Sequence, residues 1–164
     1  MTQKLNLLLA SLLLLLLTAT AAPAQDVKVI KFEDLKALRK NPADTLYVVN
    51  FWATWCKPCI KELPYFEAAN QKYKNQPVKV ILVSMDAVED VDTRVRAFMQ
   101  KRGLKSEVVL LDEVDGNSWI DKLEPKWSGA IPATMVFNNK RGRYEFREAE
   151  MTEAELMALI EKHK

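Results

Sequence analysis

The stretch Phe51-Trp52-Ala53-Thr54-Trp55-Cys56-Lys57-Pro58-Cys59 decides how this chain folds, and it holds both of the chain's 2 cysteines. A C-x-x-C pair that follows an apolar strand and opens a helix is the layout of dithiol–disulfide exchange. There the first sulfur meets amide N–H groups that lack helical partners and the positive end of the helix dipole, and both stabilise a thiolate. A stapling role fits poorly. In the chain-entropy account so short a loop stabilises by only about 2 kcal/mol, against roughly 3 for a fifteen-residue loop. The spacing predicts redox chemistry at Cys56 and Cys59.

The surrounding pattern supplies the elements that such a motif needs. Before it, 45–53 is a β-branched and aromatic run suited to a strand buried on both faces. After it, Ile60, Leu63, Phe66 and Tyr73 predict a helix over about 59–74, with Pro64 removing one backbone donor and kinking it. Upstream, 27–30 alternates as a short strand, and Phe32, Leu35 and Leu38 recur at helical spacing until Asn41-Pro42. Downstream, 78–84 reads as a second buried strand, and 91–102 as an amphipathic helix with Gly103 as its C-cap. A strand over 108–111, a helix near 117–123 and a hairpin of 133–137 with 143–147 follow. Thr152-x-x-Glu155 then opens a last helix as a capping box. This order predicts a mixed sheet with helices on both faces.

Lys4, the apolar run 5–17 and the small–x–small triplet Ala22-Pro23-Ala24 have the form of a secretory signal peptide. The run is shorter than the about 20 residues that span a bilayer, although 18–22 could extend it into an uncleaved anchor. The expected organisation is a signal segment over 1–24 and one domain over 25–164. Cleavage after Ala24 leaves 164 − 24 = 140 residues, which suits a single core. No cysteine stands near the cleavage site to carry a lipid. An exported, periplasmic location, where disulfides persist, is the expectation. Losing Lys4 leaves 24 − 1 = 23 basic residues against 22 acidic ones, a balance without the footprint of a nucleic-acid binder.

The longer segment Val49-Asn50-Phe51-Trp52-Ala53-Thr54-Trp55-Cys56-Lys57-Pro58-Cys59-Ile60-Lys61-Glu62-Leu63-Pro64 resembles the active-site segment of exported thioredoxin-like proteins of the TlpA/ResA type. Those are membrane-tethered or periplasmic thiol–disulfide oxidoreductases, many of them reductants. The resemblance implies an α/β, thioredoxin-like fold with a mixed central sheet, helices on both faces and an extra strand–helix insertion before a cis-proline loop at Ile131-Pro132. It follows the element order from about Val27 to the C-terminus and is specific over 49–64. Asn50 stands where plain thioredoxins carry an acid, as it does in the TlpA-like branch.

Each residue of the motif then has an expected role. Cys56 is the nucleophile, because helix N-termini and C-x-x-C contexts lower a thiol pKa from about 8.5 to between about 3.5 and 7.5. Cys59, farther inside, resolves the mixed disulfide. Lys57 and Pro58 tune the redox poise: a cation favours the charged, reduced form, and proline pre-sets the helix start without wasting a donor. The bland reading of Lys57 as an exposed surface lysine stands equally. Glu62 follows Cys59 by three residues and shares its side of the helix. Its residue type allows either a first-turn acid that complements the dipole or a functional carboxylate. The resemblance implies the second, a buried carboxylate of raised pKa that exchanges a proton with Cys59. It also implies that Ile131 pairs its backbone with an extended substrate, that Pro132 faces the dithiol, and that Trp55, with Trp52, forms an apolar rim. Trp119 and Trp127 are expected in packing roles.

Other chemistries are weaker on these residues. Structural zinc needs four ligands, and the chain offers 2 cysteines and 1 histidine. Cu(I) transfer through the same thiolates is the main rival from another class, with Met85, Met99 or Met135 as conceivable third ligands. A disulfide oxidase or isomerase of the same fold is the rival within the class. A peroxidase would need a threonine and proline arrangement that Ala53-Thr54 does not provide, and His163 gives no cysteine–histidine pair for hydrolysis. The expectation is a cofactor-free, metal-free, monomeric oxidoreductase. Its partners would be protein disulfides, apocytochrome c among those the resemblance suggests, and a thiol-reducing donor in the membrane.

Overall fold

A computed structural model describes residues 26–164, so the expected signal segment lies outside the described residues. The strands are β1 (Lys28–Ile30), β2 (Leu46–Trp52), β3 (Val78–Ser84), β4 (Glu107–Leu111), β5 (Ala133–Asn138) and β6 (Arg143–Arg147). The helices are α1 (Phe32–Leu38), α2 (Lys57–Tyr73), α3 (Arg96–Arg102), α4 (Ile120–Leu123) and α5 (Glu153–His163). One sheet of order β1-β4-β3-β2-β5-β6 joins the strands. The β1–β4, β4–β3 and β3–β2 pairs are parallel, whereas β2–β5 and β5–β6 are antiparallel. The mixed α/β sheet expected from the sequence is therefore present. Among the described residues no helix is long and apolar enough to cross a membrane.

Every residue of β2 is buried, as its unbroken apolar run requires. Because strand side chains alternate, β2 feeds two separate cores. Val48 and Trp52 join Leu63, Phe66, Tyr73, Leu156 and Ile160 of α2 and α5 on one face. Tyr47, Val49 and Phe51 join Phe32, Leu35, Trp119 and Trp127 on the other. Asn50 takes the parity of Val48 and Trp52, so an amide is placed on the α2 face, where it is fully buried.

Three expected elements differ in detail. α2 begins at Lys57, not Cys59, and runs past the solvent-facing Pro64 to Tyr73 as one helix. The expected helix over 91–102 is a π turn (Val91–Val95) and then α3, and a 3₁₀ turn (Val88–Asp90) precedes them. Val91, Thr93 and Val95 are β-branched and crowd regular α turns, which favours the wider start. Gly103 ends α3 in the left-handed region, at φ 65°. The segment 117–123 divides into a 3₁₀ turn (Gly116–Ser118) and α4, with Trp119 at φ −136° between them. That break seats the Trp119 indole in the core, 1% exposed and 5.4 Å from the Trp127 ring. The inserted elements come as helix α3 and then strand β4, which lies between β3 and β1.

Candidate active site

β2 ends at Trp52, and a tight turn carries the chain into α2. The Cys56 N–H donates to the Ala53 carbonyl at 3.1 Å, which closes the turn around Thr54 and Trp55. Cys56 is the N-cap of α2: its φ of −88° and ψ of 99° are extended, and its carbonyl accepts the Ile60 N–H at 3.0 Å. The Cys59 N–H donates to Cys56 Sγ at 3.3 Å. One of the helix's otherwise unpartnered donors thus already points at the sulfur. Cys56 and Cys59 form a disulfide with their Cα atoms 5.3 Å apart. Cys56 is 5% exposed and Cys59 is fully buried, so the outer sulfur is the one a partner can reach. Lys57 and Pro58 occupy the first two helical positions and face solvent.

Opposite the disulfide lies the Ile131–Pro132 peptide, which is cis. The Ile131 carbonyl oxygen is 3.8 Å from Cys56 Sγ. The approach to this loop is pinned from two sides. Trp127 Nε1 donates to the Ala130 carbonyl at 2.8 Å, and Ser128 donates through its N–H and its hydroxyl to Glu148. Gly129 takes φ 91°, and a Cβ there would meet Ile120 Cδ1 at 3.1 Å. A side chain at this position is disfavoured by both conformation and space. Trp127, expected only as packing, therefore also braces the proline loop.

Glu62 lies in the second turn of α2 and is fully buried, so it is not an acid at the helix start. Its Oε1 accepts from Asn50 Nδ2 at 2.8 Å, and its Oε2 from the Met151 N–H at 2.9 Å. Asn50 Nδ2 also reaches Thr134 Oγ1 at 3.1 Å, across the β2–β5 register. Loss of hydration outweighs these two hydrogen bonds and pushes the Glu62 carboxyl up from 4.5 to about 7. An acid of that pKa takes and gives a proton with little bias near neutral pH. The residue sits one turn beyond the buried Cys59.

The two tryptophans of the motif part company. Trp55 is 62% exposed and flanks the disulfide, whereas Trp52 is fully buried with its ring 5.3 Å from Phe98. Trp52 is core, so of the two only Trp55 stands at the surface; Ile131 is half-buried. Met99 and Met135 are buried in the two opposite cores. His163 is spent on Glu145, at 2.8 Å. Among the described residues no group of three or more His, Cys, Asp or Glu could hold a metal ion.

Sequence reasoning missed Asp86. This side chain, 3% exposed, follows β3 and accepts from the Thr54 hydroxyl at 2.6 Å and the Thr54 N–H at 3.0 Å. The available signal was a polar pair, Ser84 and Asp86, at the carboxyl end of a buried parallel strand, where α/β sheets place their sites. The Thr54 hydroxyl is thus committed to a carboxylate.

A family model described as the AhpC/TSA family matches residues 18–142. The chain belongs to the AhpC/TSA family. A thiol-disulfide oxidoreductase ResA of Bacillus thuringiensis (strain Al Hakam) is 42% identical over 62 residues, 38% of this chain and 34% of that protein. The matched stretch thus spans about a third of that curated relative. The solved structure of StoA from Bacillus subtilis has 25% identity and a TM-score of 0.54, covering 71% of this chain and 83% of that one. A thioredoxin-related protein from Neisseria meningitidis serogroup B shares the fold at a TM-score of 0.62 and 21% identity, over 75% of this chain and 87% of that one. This AhpC/TSA-family chain therefore has a thioredoxin-like fold, and its sequence is similar to a ResA oxidoreductase over part of its length.

Proposed function

We propose that this protein is an exported thiol–disulfide oxidoreductase that reduces disulfides in other proteins through Cys56 and Cys59. The observation that carries the reading is the position of the disulfide. Its outer sulfur caps a helix, receives the Cys59 N–H at 3.3 Å and faces the Ile131 carbonyl at 3.8 Å. In the dithiol state the Cys56 thiolate attacks a substrate disulfide. One substrate sulfur leaves as a thiolate, and the other is held in a mixed disulfide with Cys56. Cys59 then attacks Cys56, re-forming the intramolecular bond and releasing the second substrate thiolate. Glu62 accepts the Cys59 proton as that thiol becomes a nucleophile.

Ile131 offers its backbone to an extended substrate, and Trp55 supplies apolar contact beside it. The cycle leaves the protein oxidised, so it needs a donor that returns two electrons. A thiol-reducing membrane protein fits an exported location, and an apocytochrome c disulfide, reduced to its two thiols, fits as a client. The test is insulin reduction by the purified protein with an external thiol reductant. Wild type is expected to be active, and C56S/C59S is expected to be folded and inactive. Full activity of the double variant would overturn the proposal.

A further inference from the structure

We propose that Asp86, acting through Thr54, is a positioning residue for Cys56, an inference that rests on the reading of Cys56 and Cys59 as an exchanging pair. Trp52 and Ser84 are register partners at the ends of β2 and β3. The Met85 N–H donates to the Trp52 carbonyl at 2.8 Å, so the two chains stay paired one bond beyond the strands. This brings Asp86 beneath the turn that leaves β2. Its carboxylate is then used in full. Oδ1 accepts the Thr54 hydroxyl at 2.6 Å, and Oδ2 accepts the Thr54 N–H at 3.0 Å and the Ser84 hydroxyl at 2.8 Å. The Asp86 N–H closes the network on Ser84 Oγ at 3.1 Å.

Thr54 is the first central residue of the turn whose last residue is Cys56. Trp55, the second, is mostly in solvent and has little packing to hold it. Grip on the turn therefore comes from Thr54, held twice by one carboxylate. A turn closes without such help, and burying a carboxylate is costly unless it is fully hydrogen-bonded. What the double hold adds is a fixed entry of Cys56 into the N-cap, which keeps its sulfur on the Cys59 N–H. A loosened turn weakens that donation and makes the thiolate harder to form.

The test uses Thr54→Val, which keeps the side-chain shape and the N–H but removes the hydroxyl, and Thr54→Ser, which restores the hydroxyl. Lys57 and Glu62 on α2 and Asp86 after β3 keep their places in the sequence in both variants, so no charged residue is replaced. The reduced protein is alkylated with iodoacetamide across a pH series, and exchange with insulin is measured in parallel. In Thr54→Val the alkylation midpoint of Cys56 is expected to rise by about one pH unit, a tenfold loss of thiolate below the midpoint. Thr54→Ser is expected to return to wild type. A merely structural role would lower the unfolding midpoint of Thr54→Val without moving the titration.

An unchanged midpoint in folded Thr54→Val overturns the proposal, as does a Thr54→Ser shift equal to that of valine. Should Thr54→Val not fold, Ser84→Ala reads the same network from its other end. There a two- to threefold loss of thiolate supports the proposal and no change refutes it. Wild-type protein without insulin exchange would instead refute the oxidoreductase reading on which this inference stands.

Discussion

Replacing Glu62 with glutamine should change how stability depends on pH, and the structure fixes both the sign and the size. Burial raises the Glu62 carboxyl from 4.5 to about 7 in the folded protein. Between those two pH values the folded state holds a proton that the unfolded chain has released. Stability from this group is therefore fully present below about 4.5 and is lost as pH rises through about 7. Integrated between pH 5 and 8, the loss is roughly 2 to 3 kcal/mol. Glutamine cannot titrate, so Glu62→Gln lacks this slope. It carries instead a pH-independent cost of about 1 kcal/mol, because its NH₂ meets a donor at the Met151 N–H or at Asn50 Nδ2, and turning the Asn50 amide to offer its unpartnered Oδ1 gives up the Nδ2 contact to Thr134. The assay is urea unfolding of oxidised wild type and variant at intervals from pH 5 to pH 8. Other ionisable groups are common to both proteins and cancel in the difference. The variant should be less stable at pH 5 and should gain on wild type by roughly 2 to 3 kcal/mol by pH 8. Parallel curves would refute the claim that Glu62 is an acid displaced by burial.

Further outcomes follow from other parts of the molecule. Lys57→Gln removes an exposed cation beside Cys56 and should make the pair more reducing by about 10 mV, measured by equilibration with glutathione. Reducing the disulfide should lower stability to urea by about 2 kcal/mol, the chain-entropy value for so short a loop. Glu145 accepts from Lys162, His163 and Arg147, and these contacts hold its carboxyl at about 2. Its stabilisation is present above about 4.5 and is lost as pH falls toward 2, so Glu145→Gln should cost no more than about 1 kcal/mol at pH 7 and nothing near pH 2. Phe51→Ala empties a fully buried position 4.5 Å from the Trp127 ring, and should cost about 3–5 kcal/mol in thermal or urea unfolding.

The legible part of this fold was the part governed by periodicity. β2 and β3 read as unbroken apolar runs because they are buried on both faces, and Thr152 with Glu155 marked the start of α5 by local hydrogen bonding alone. The irregular starts of α3 and α4 were not legible: the β-branched Val91, Thr93 and Val95 that widen the first still fit an amphipathic helical pattern, and the second is set by where Trp119 has to reach. The same division runs through the site. Cys56 and Cys59 announce themselves by spacing. Asp86, the Met151 N–H on Glu62 and the Trp127 indole on Ala130 come from other elements, and only the sheet order brings them to the motif. Trp52 and Trp55 show the limit within the motif itself. Both flank the cysteines, yet strand parity sends one into the core and the turn sends the other to solvent.

That last difference gives the molecule an optical readout of its own. The chain has 4 tryptophans. Trp52, Trp119 and Trp127 are at most 3% exposed, whereas Trp55 adjoins the disulfide and stands 62% in water. Aqueous iodide should therefore quench a single emitter, and the quenchable light should report on the bond beside it. Reduction of the neighbouring sulfurs should alter that light from within, and a polypeptide substrate docked as proposed would shield it from outside. Unlabelled protein can thus be followed through both events in one cuvette.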